Sequence, residues 1–198
     1  MQQVFVIHGG NAFNSYEEYI SALEEKVVSL EDFTRKGWKE SLQEKLGAEY
    51  EVFNPQMPNG QNAKYPEWKI YFEKFLPLFS DNVIFVGHSL GGIFLAKYFS
   101  ENKVSKKIKA TILIAAPYDE DKGKMLPGFA VTTLLDGFAQ QGGTVILYHS
   151  KDDPVVLFSE LEKYKAELPG AVVRVFEDRQ HFNQEEFPEI VEEIKRLG

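Results

Sequence analysis

The chain has 198 residues, 43% of them apolar, enough for one globular domain with a sizeable core and too short for two comfortable ones. A net charge of −8 leaves no basic surface to neutralise phosphates, which excludes nucleic acid as a partner. Without cysteine there are no disulfides and no thiolate metal sites, and no apolar run approaches the roughly eighteen residues of a membrane span.

Residues 4–7 (Val-Phe-Val-Ile) read as a central parallel strand that breaks into a loop at His8-Gly9-Gly10-Asn11. That apolar run is too short for a signal-peptide core and lacks a basic flank, so a cytoplasmic protein is the default expectation. Ser15 with Glu18 matches a capping box, and Tyr16, Tyr19, Ile20, Leu23, Val27 and Leu30 recur at helical spacing. A helix is therefore predicted over 15–31, and a second over about 35–46, stopped by Gly47. Residues 50–53 read as a short strand, and 55–65 as a loop rich in Pro, Asn and Gly. Pro66 suits a first helical position, and Trp68, Tyr71, Phe72, Phe75 and Phe79 give that helix a heavy apolar face up to Pro77.

The next strand, 83–86, runs straight into Gly87-His88-Ser89-Leu90-Gly91, with an apolar helical segment at 93–99 behind it. A G-x-S-x-G pattern arises by chance in roughly one chain in fifteen of this length. Its placement between strand and helix is what gives it weight, because a nucleophile elbow needs that setting. Such a turn is too sharp for side chains at its flanks and lifts a serine hydroxyl above the sheet edge. The glycines at 91 and 92 also fit plain close packing of helix on sheet.

Further strands follow at 108–116, 144–148 and 172–176, with helices at about 130–141, 154–167 and 187–197 and a charged loop at 117–129. Strands and helices alternate from end to end, with no linker, repeat or low-complexity tract. The expected fold is a single α/β domain over residues 1–198, with about six mostly parallel strands and helices on both faces.

A serine hydroxyl needs a base within hydrogen-bond reach, itself oriented by a carboxylate. In nucleophile-elbow enzymes the chain order is Ser, acid, His. Among four histidines, His8 and His88 precede Ser89, and His149 precedes any good acid loop. His181 alone follows both. The acid falls in the loop after the strand at 144–148, where Asp153 and Asp152 both qualify; Asp153, fixed by Pro154, is preferred. Asp153 also suits a helix N-cap with proline at the first helical position. For an oxyanion hole the N–H of Leu90 is the first donor, and the second comes from the loop after the first strand. Gly10 is preferred there over Asn11. Neither a G-x-G-x-x-G nor a Walker pattern is present, so no nucleotide cofactor is expected. Asp119, Glu120, Asp121 and Asp152 lack metal-ligand spacing, and no metal is expected.

Val-Ile-His-Gly-Gly at 6–10, Gly-His-Ser-Leu-Gly-Gly at 87–92, His-Ser-Lys-Asp-Asp-Pro-Val-Val at 149–156 and Gln-His-Phe at 180–182 together resemble the α/β-hydrolase superfamily. With Gly37-Trp38 and the short chain, they resemble its small serine hydrolases of the retinoblastoma-binding-protein-9/YdeN type. The resemblance implies a triad of Ser89, Asp153 and His181, a sheet shortened at its N-terminal edge and no large cap domain. The chain departs from that pattern in the segment 15–31. The expected function is metal-free cleavage of a carboxylic ester, thioester or amide of a small-molecule acyl substrate. The alternative is a protein-interaction module on a hydrolase scaffold with vestigial activity, although no motif indicates a protein partner.

Overall fold

The computed structural model describes residues 1–30, 34, 36–121 and 124–198. Six strands form one wholly parallel sheet: β1 (Gln2–Ile7), β2 (Tyr50–Phe53), β3 (Val83–His88), β4 (Ile108–Ile114), β7 (Thr144–Ser150) and β8 (Val172–Phe176), in the order β2-β1-β3-β4-β7-β8. Because successive side chains point to opposite faces, each apolar run divides itself between two cores. Phe5, Ile7, Phe85, Leu113 and Leu147 go to one side. Val4, Val6, Ile84, Val86, Ile112 and Ile146 go to the other.

The first face is covered by α3 (Tyr65–Glu73), α4 (Leu90–Glu101), α5 (Asp136–Gln141) and α6 (Phe158–Glu167). The sequence's many phenylalanines are spent here: Phe72 meets Phe94 at 5.3 Å and Tyr98 at 4.9 Å between ring centroids, both edge-on, a preferred aromatic geometry. The second face is covered by α2 (Trp38–Leu46), through Trp38, Leu42 and Leu46, and by α7 (Pro188–Leu197), through Ile190 and Ile194. This is the parallel α/β architecture, covered on both faces, that the alternating elements predict. Among the described residues no helix is long and apolar enough to cross a membrane.

Several helices are shorter than the sequence predicts: α3 ends at Glu73, short of Pro77. Helix α1 (Tyr16–Glu25) stops where Lys26 turns extended, just ahead of the β-branched pair Val27-Val28. The last position of the predicted span, 31, and the predicted start of the second helix, 35, lie outside the described residues. Ser15 caps α1 as expected, its Oγ accepting from the Glu18 N–H at 3.2 Å. The Glu18 carboxylate reaches past Ser15 to the Asn14 N–H. Helix α5 begins only at Asp136, since Val131-Thr132-Thr133 supply three poor helix formers in a row. Helix α6 starts at Phe158 with Leu157 at its N-cap, so Asp153 does not cap it. Inside the charged loop lies a small antiparallel hairpin, β5 (Glu120–Asp121) with β6 (Lys124–Met125).

Candidate active site

Of the six strand ends at the C-terminal edge of the parallel sheet, where open α/β folds place their ligands, four lead into loops that carry the candidate residues. They follow β1, β3, β7 and β8.

Ser89 sits between β3 and α4 with φ 55° and ψ −124°, on the left-handed side that non-glycine residues avoid. Its neighbours allow the turn. A Cβ on Gly87 would lie 2.6 Å from the Gly91 carbonyl oxygen, and one on Gly92 would lie 2.5 Å from the Ala116 Cβ. The backbone around Ser89 is fully engaged: its N–H donates to the Ile114 carbonyl at 2.8 Å, and its own carbonyl accepts from Gly92 at 2.8 Å. Strain of this kind persists where the surroundings impose it, and it gathers at functional sites.

The loop after β1 lies against this turn. A Cβ on Gly9 would be 3.1 Å from the Ser89 Cβ and 3.5 Å from its Oγ, and one on Gly10 would be 3.3 Å from the Leu90 Cδ2. His8, passed over by the chain-order argument, sets how this loop is turned. Its Nε2 accepts the Met57 N–H at 2.8 Å, which leaves the ring proton on Nδ1, and Nδ1 lies 2.5 Å from the Gly9 carbonyl oxygen. The Gly9–Gly10 peptide is trans, so the Gly10 N–H points away from the carbonyl that His8 holds. The Asn11 N–H, the second choice from sequence, is already donated to the Gly60 carbonyl at 2.9 Å.

Asp153 and His181 meet across the loops after β7 and β8. The His181 Nδ1 donates to the Asp153 carboxylate, 2.9 Å from Oδ2 and 3.1 Å from Oδ1. Oδ1 also accepts the N–H groups of Val155 at 2.8 Å and Val156 at 3.0 Å. The Asp153 carboxylate is shielded from solvent, and three donors converge on it. With Nδ1 so engaged, the lone pair of the imidazole is on Nε2. Among the described residues no hydrogen bond joins the Ser89 hydroxyl to His181. Such bonds commonly close only when substrate is bound. The two residues are nonetheless linked through His88, whose ring packs 5.0 Å from that of His181 and whose Nε2–H donates to the His181 carbonyl at 2.7 Å. Burial first, then the Lys39 charge, hold His88 well below the ordinary histidine range, so it is a neutral donor. Trp38 closes the floor: its indole N–H donates to the Phe182 carbonyl at 2.9 Å.

Of the sequence-derived candidates, then, Asp153 and His181 are bonded, Ser89 and Leu90 share the turn after β3, and Gly10 lies against that turn in the loop after β1. Asp152 makes no bond to His181; its carboxylate serves Ser150 and Gln180. His8 and Ser150 were not foreseen. A histidine ahead of a Gly-Gly turn was visible, but nothing in the sequence marked Ser150. Among the described residues no group of three or more His, Asp or Glu side chains is placed to hold a metal ion.

Comparison with known proteins follows the same line. Residues 27–197 match the family model described as serine hydrolase. The product of the ydeN gene from B. subtilis superposes with a TM-score of 0.77 at 17% identity, over 100% of this chain and 98% of that one. An esterase from Exiguobacterium antarcticum superposes with a TM-score of 0.64 at 18% identity, over 100% and 92%. Est1E from Butyrivibrio proteoclasticus gives 0.58 at 17%, over 99% and 86%. At such identities these likenesses establish the fold. A sequence comparison with curated proteins finds no match.

Proposed function

This chain belongs to the serine hydrolase family, and we propose that it cleaves a carboxylic ester through an acyl-enzyme on Ser89, with His181 as general base and acid and Asp153 as its orienting carboxylate. The observation that carries this reading is a strained serine at a strand–helix turn beside a solvent-shielded His–Asp pair.

His181 Nε2 takes the Ser89 proton as Oγ attacks the ester carbonyl. The negative charge that develops on oxygen is met by the N–H of Leu90, at the start of α4, and by that of Gly10. The tetrahedral adduct collapses, the C–O bond to the alcohol breaks, and His181 returns its proton to the departing alkoxide. Water then repeats the sequence: His181 takes its proton, its oxygen attacks the acyl carbon, and Ser89 leaves protonated. Asp153 holds the imidazole in the Nδ1–H tautomer and stabilises the imidazolium while it exists. The same groups serve a thioester or an amide.

A fluorophosphonate should label the folded protein once, at Ser89, and Ser89→Ala should abolish labelling. Equal labelling of the alanine variant would remove the assignment. Failure of the wild type to label would favour a binding role for the scaffold.

A further inference from the structure

The loops that carry Asp153 and His181 are tied together by a second set of bonds in which neither side chain takes part. Ser150, the last residue of β7, is fully buried; its Oγ accepts the Arg179 N–H at 3.0 Å and donates to the Asp152 Oδ1 at 2.5 Å. That same Oδ1 accepts the Gln180 N–H at 2.9 Å. The Lys151 N–H donates to the Phe176 carbonyl at 2.9 Å. Three consecutive residues from the end of β7 thus hold Phe176 at the end of β8 and residues 179 and 180 of the loop beyond it, ahead of His181.

That stretch needs holding. Gln180 has φ 46° and Phe182 has φ 53°, so His181 stands between two residues in the left-handed region. Phe182 is anchored by its fully buried ring and by Trp38 on its carbonyl. Gln180 is exposed, and its backbone is fixed by the bond to Asp152. The Asp153–His181 bond joins side chains and does not itself fix the backbone leading into His181; the Phe182 N–H closes that turn on the Arg179 carbonyl at 3.0 Å, and the bonds to Ser150 and Asp152 anchor the turn to the neighbouring loop. We propose that Ser150 and Asp152 are positioning residues that fix this backbone, and so hold the His181 ring where both Asp153 and the Ser89 hydroxyl can reach it. The two adjacent aspartates divide the work: Asp153 receives the ring, and Asp152 receives the main chain in front of it. The Ser150 hydroxyl, donating into Asp152, keeps that carboxyl below the ordinary carboxylate range.

The inference rests on His181 acting as the base, and the test separates the two claims. Asp152→Ala, Asp152→Asn and Ser150→Ala are made in the full chain and assayed on a p-nitrophenyl ester, with amide hydrogen exchange read at Arg179 and Gln180. Asp152→Ala should lower kcat by about tenfold to a hundredfold at unchanged KM, the scale of a small misplacement of a catalytic group. The Gln180 amide should exchange faster. Asp152→Asn should recover most of the rate, because one amide oxygen can accept both donors. Ser150→Ala should speed exchange at Arg179. Wild-type kcat and wild-type exchange in Asp152→Ala, in a protein whose Ser89 still takes a fluorophosphonate, would overturn the positioning role alone. Equal loss in the alanine and asparagine variants would overturn it too, since charge rather than acceptance would then matter. An unlabelled wild type would instead remove the proposed function, and exchange at Gln180 would still decide whether Asp152 holds the loop.

Discussion

The two sides of this candidate site are built in opposite ways. On the β7 and β8 side, Asp153, His181, His88 and Trp38 are buried and cross-linked, each polar group bonded to the neighbouring loop. On the β1 side, helix α1 leaves the glycine loop and buries none of its residues: Tyr16 is 66% exposed, and beyond the helix Val27 and Leu30 are 91% and 86% exposed. Tyr19 borders a cleft against Asn59, Gly60 and Lys64. The contrast teaches that the groups needing sub-ångström placement are fixed by the core. In the proposed reading, helix α1 is the element placed to meet the rest of a substrate, and none of its residues is buried.

Substitutions on the rigid side should be costly. The largest effect is expected of Asp153→Asn, which keeps shape but favours the wrong imidazole tautomer; in a serine-hydrolase triad such a change costs about 10³–10⁴ in kcat. Steady-state kinetics on a p-nitrophenyl ester reads it, with circular dichroism to confirm folding. Trp38→Ala should cost stability instead, about 3–5 kcal/mol for a fully buried indole whose N–H also holds the Phe182 carbonyl. Chemical denaturation measures this.

The central strands were legible because fully buried parallel strands are continuous apolar runs, as at residues 83–86 of β3; the half-buried edge strands at 50–53 and 172–176 also match end to end. Helix limits were less so. The periodicity of Tyr16 through Leu30 runs past Lys26, where β-branched residues take over and no buried partner waits for the apolar side chains. For the site, the G-x-S-x-G pattern between strand and helix singled out Ser89 as a candidate, and chain order then singled out Asp153 and His181, since each follows its own strand. The hydroxyl of Ser150 and the ring of His8 were hidden, because their roles consist of bonds to a main chain 29 residues or one residue away.

His8 lies between the two regions and sharpens the comparison. His8→Ala frees both the Met57 N–H and the Gly9 carbonyl, so the Gly10 N–H loses its fixed direction. A loss of about tenfold to a hundredfold in kcat at constant KM is expected, below the 10²–10³ of removing an oxyanion donor outright. An equal rise in KM would place His8 in substrate binding instead.

Lys39 tests how closed the rigid side is. Burial brings its ammonium down from 10.5 to about 8. A base whose folded value lies below its unfolded one binds fewer protons when folded, so the chain gains stability as pH rises from about 8 to 10.5. Lys39→Met should therefore be more stable than wild type at pH 7, with that advantage shrinking across the same window. Urea midpoints at several pH values check this, and a constant difference would contradict it. On the open side the expected effects are smallest. Tyr16→Ala should shift stability by no more than about 0.5 kcal/mol. Combined with Tyr19→Ala it should alter chain-length preference among p-nitrophenyl esters. A large loss of thermal stability would break the comparison.

The central claim is a covalent intermediate on Ser89, and trapping it is the most direct measurement. Mixing the enzyme with excess p-nitrophenyl ester should release a burst of p-nitrophenol equal to the enzyme present. Acid quenching should then yield a protein heavier by one acyl group, carried on the peptide that contains Ser89. Turnover without a burst does not decide the matter if acylation is slow, so the quenched mass does: turnover with no acyl adduct when deacylation is shown to be limiting, or an adduct on any residue other than Ser89, would contradict the account.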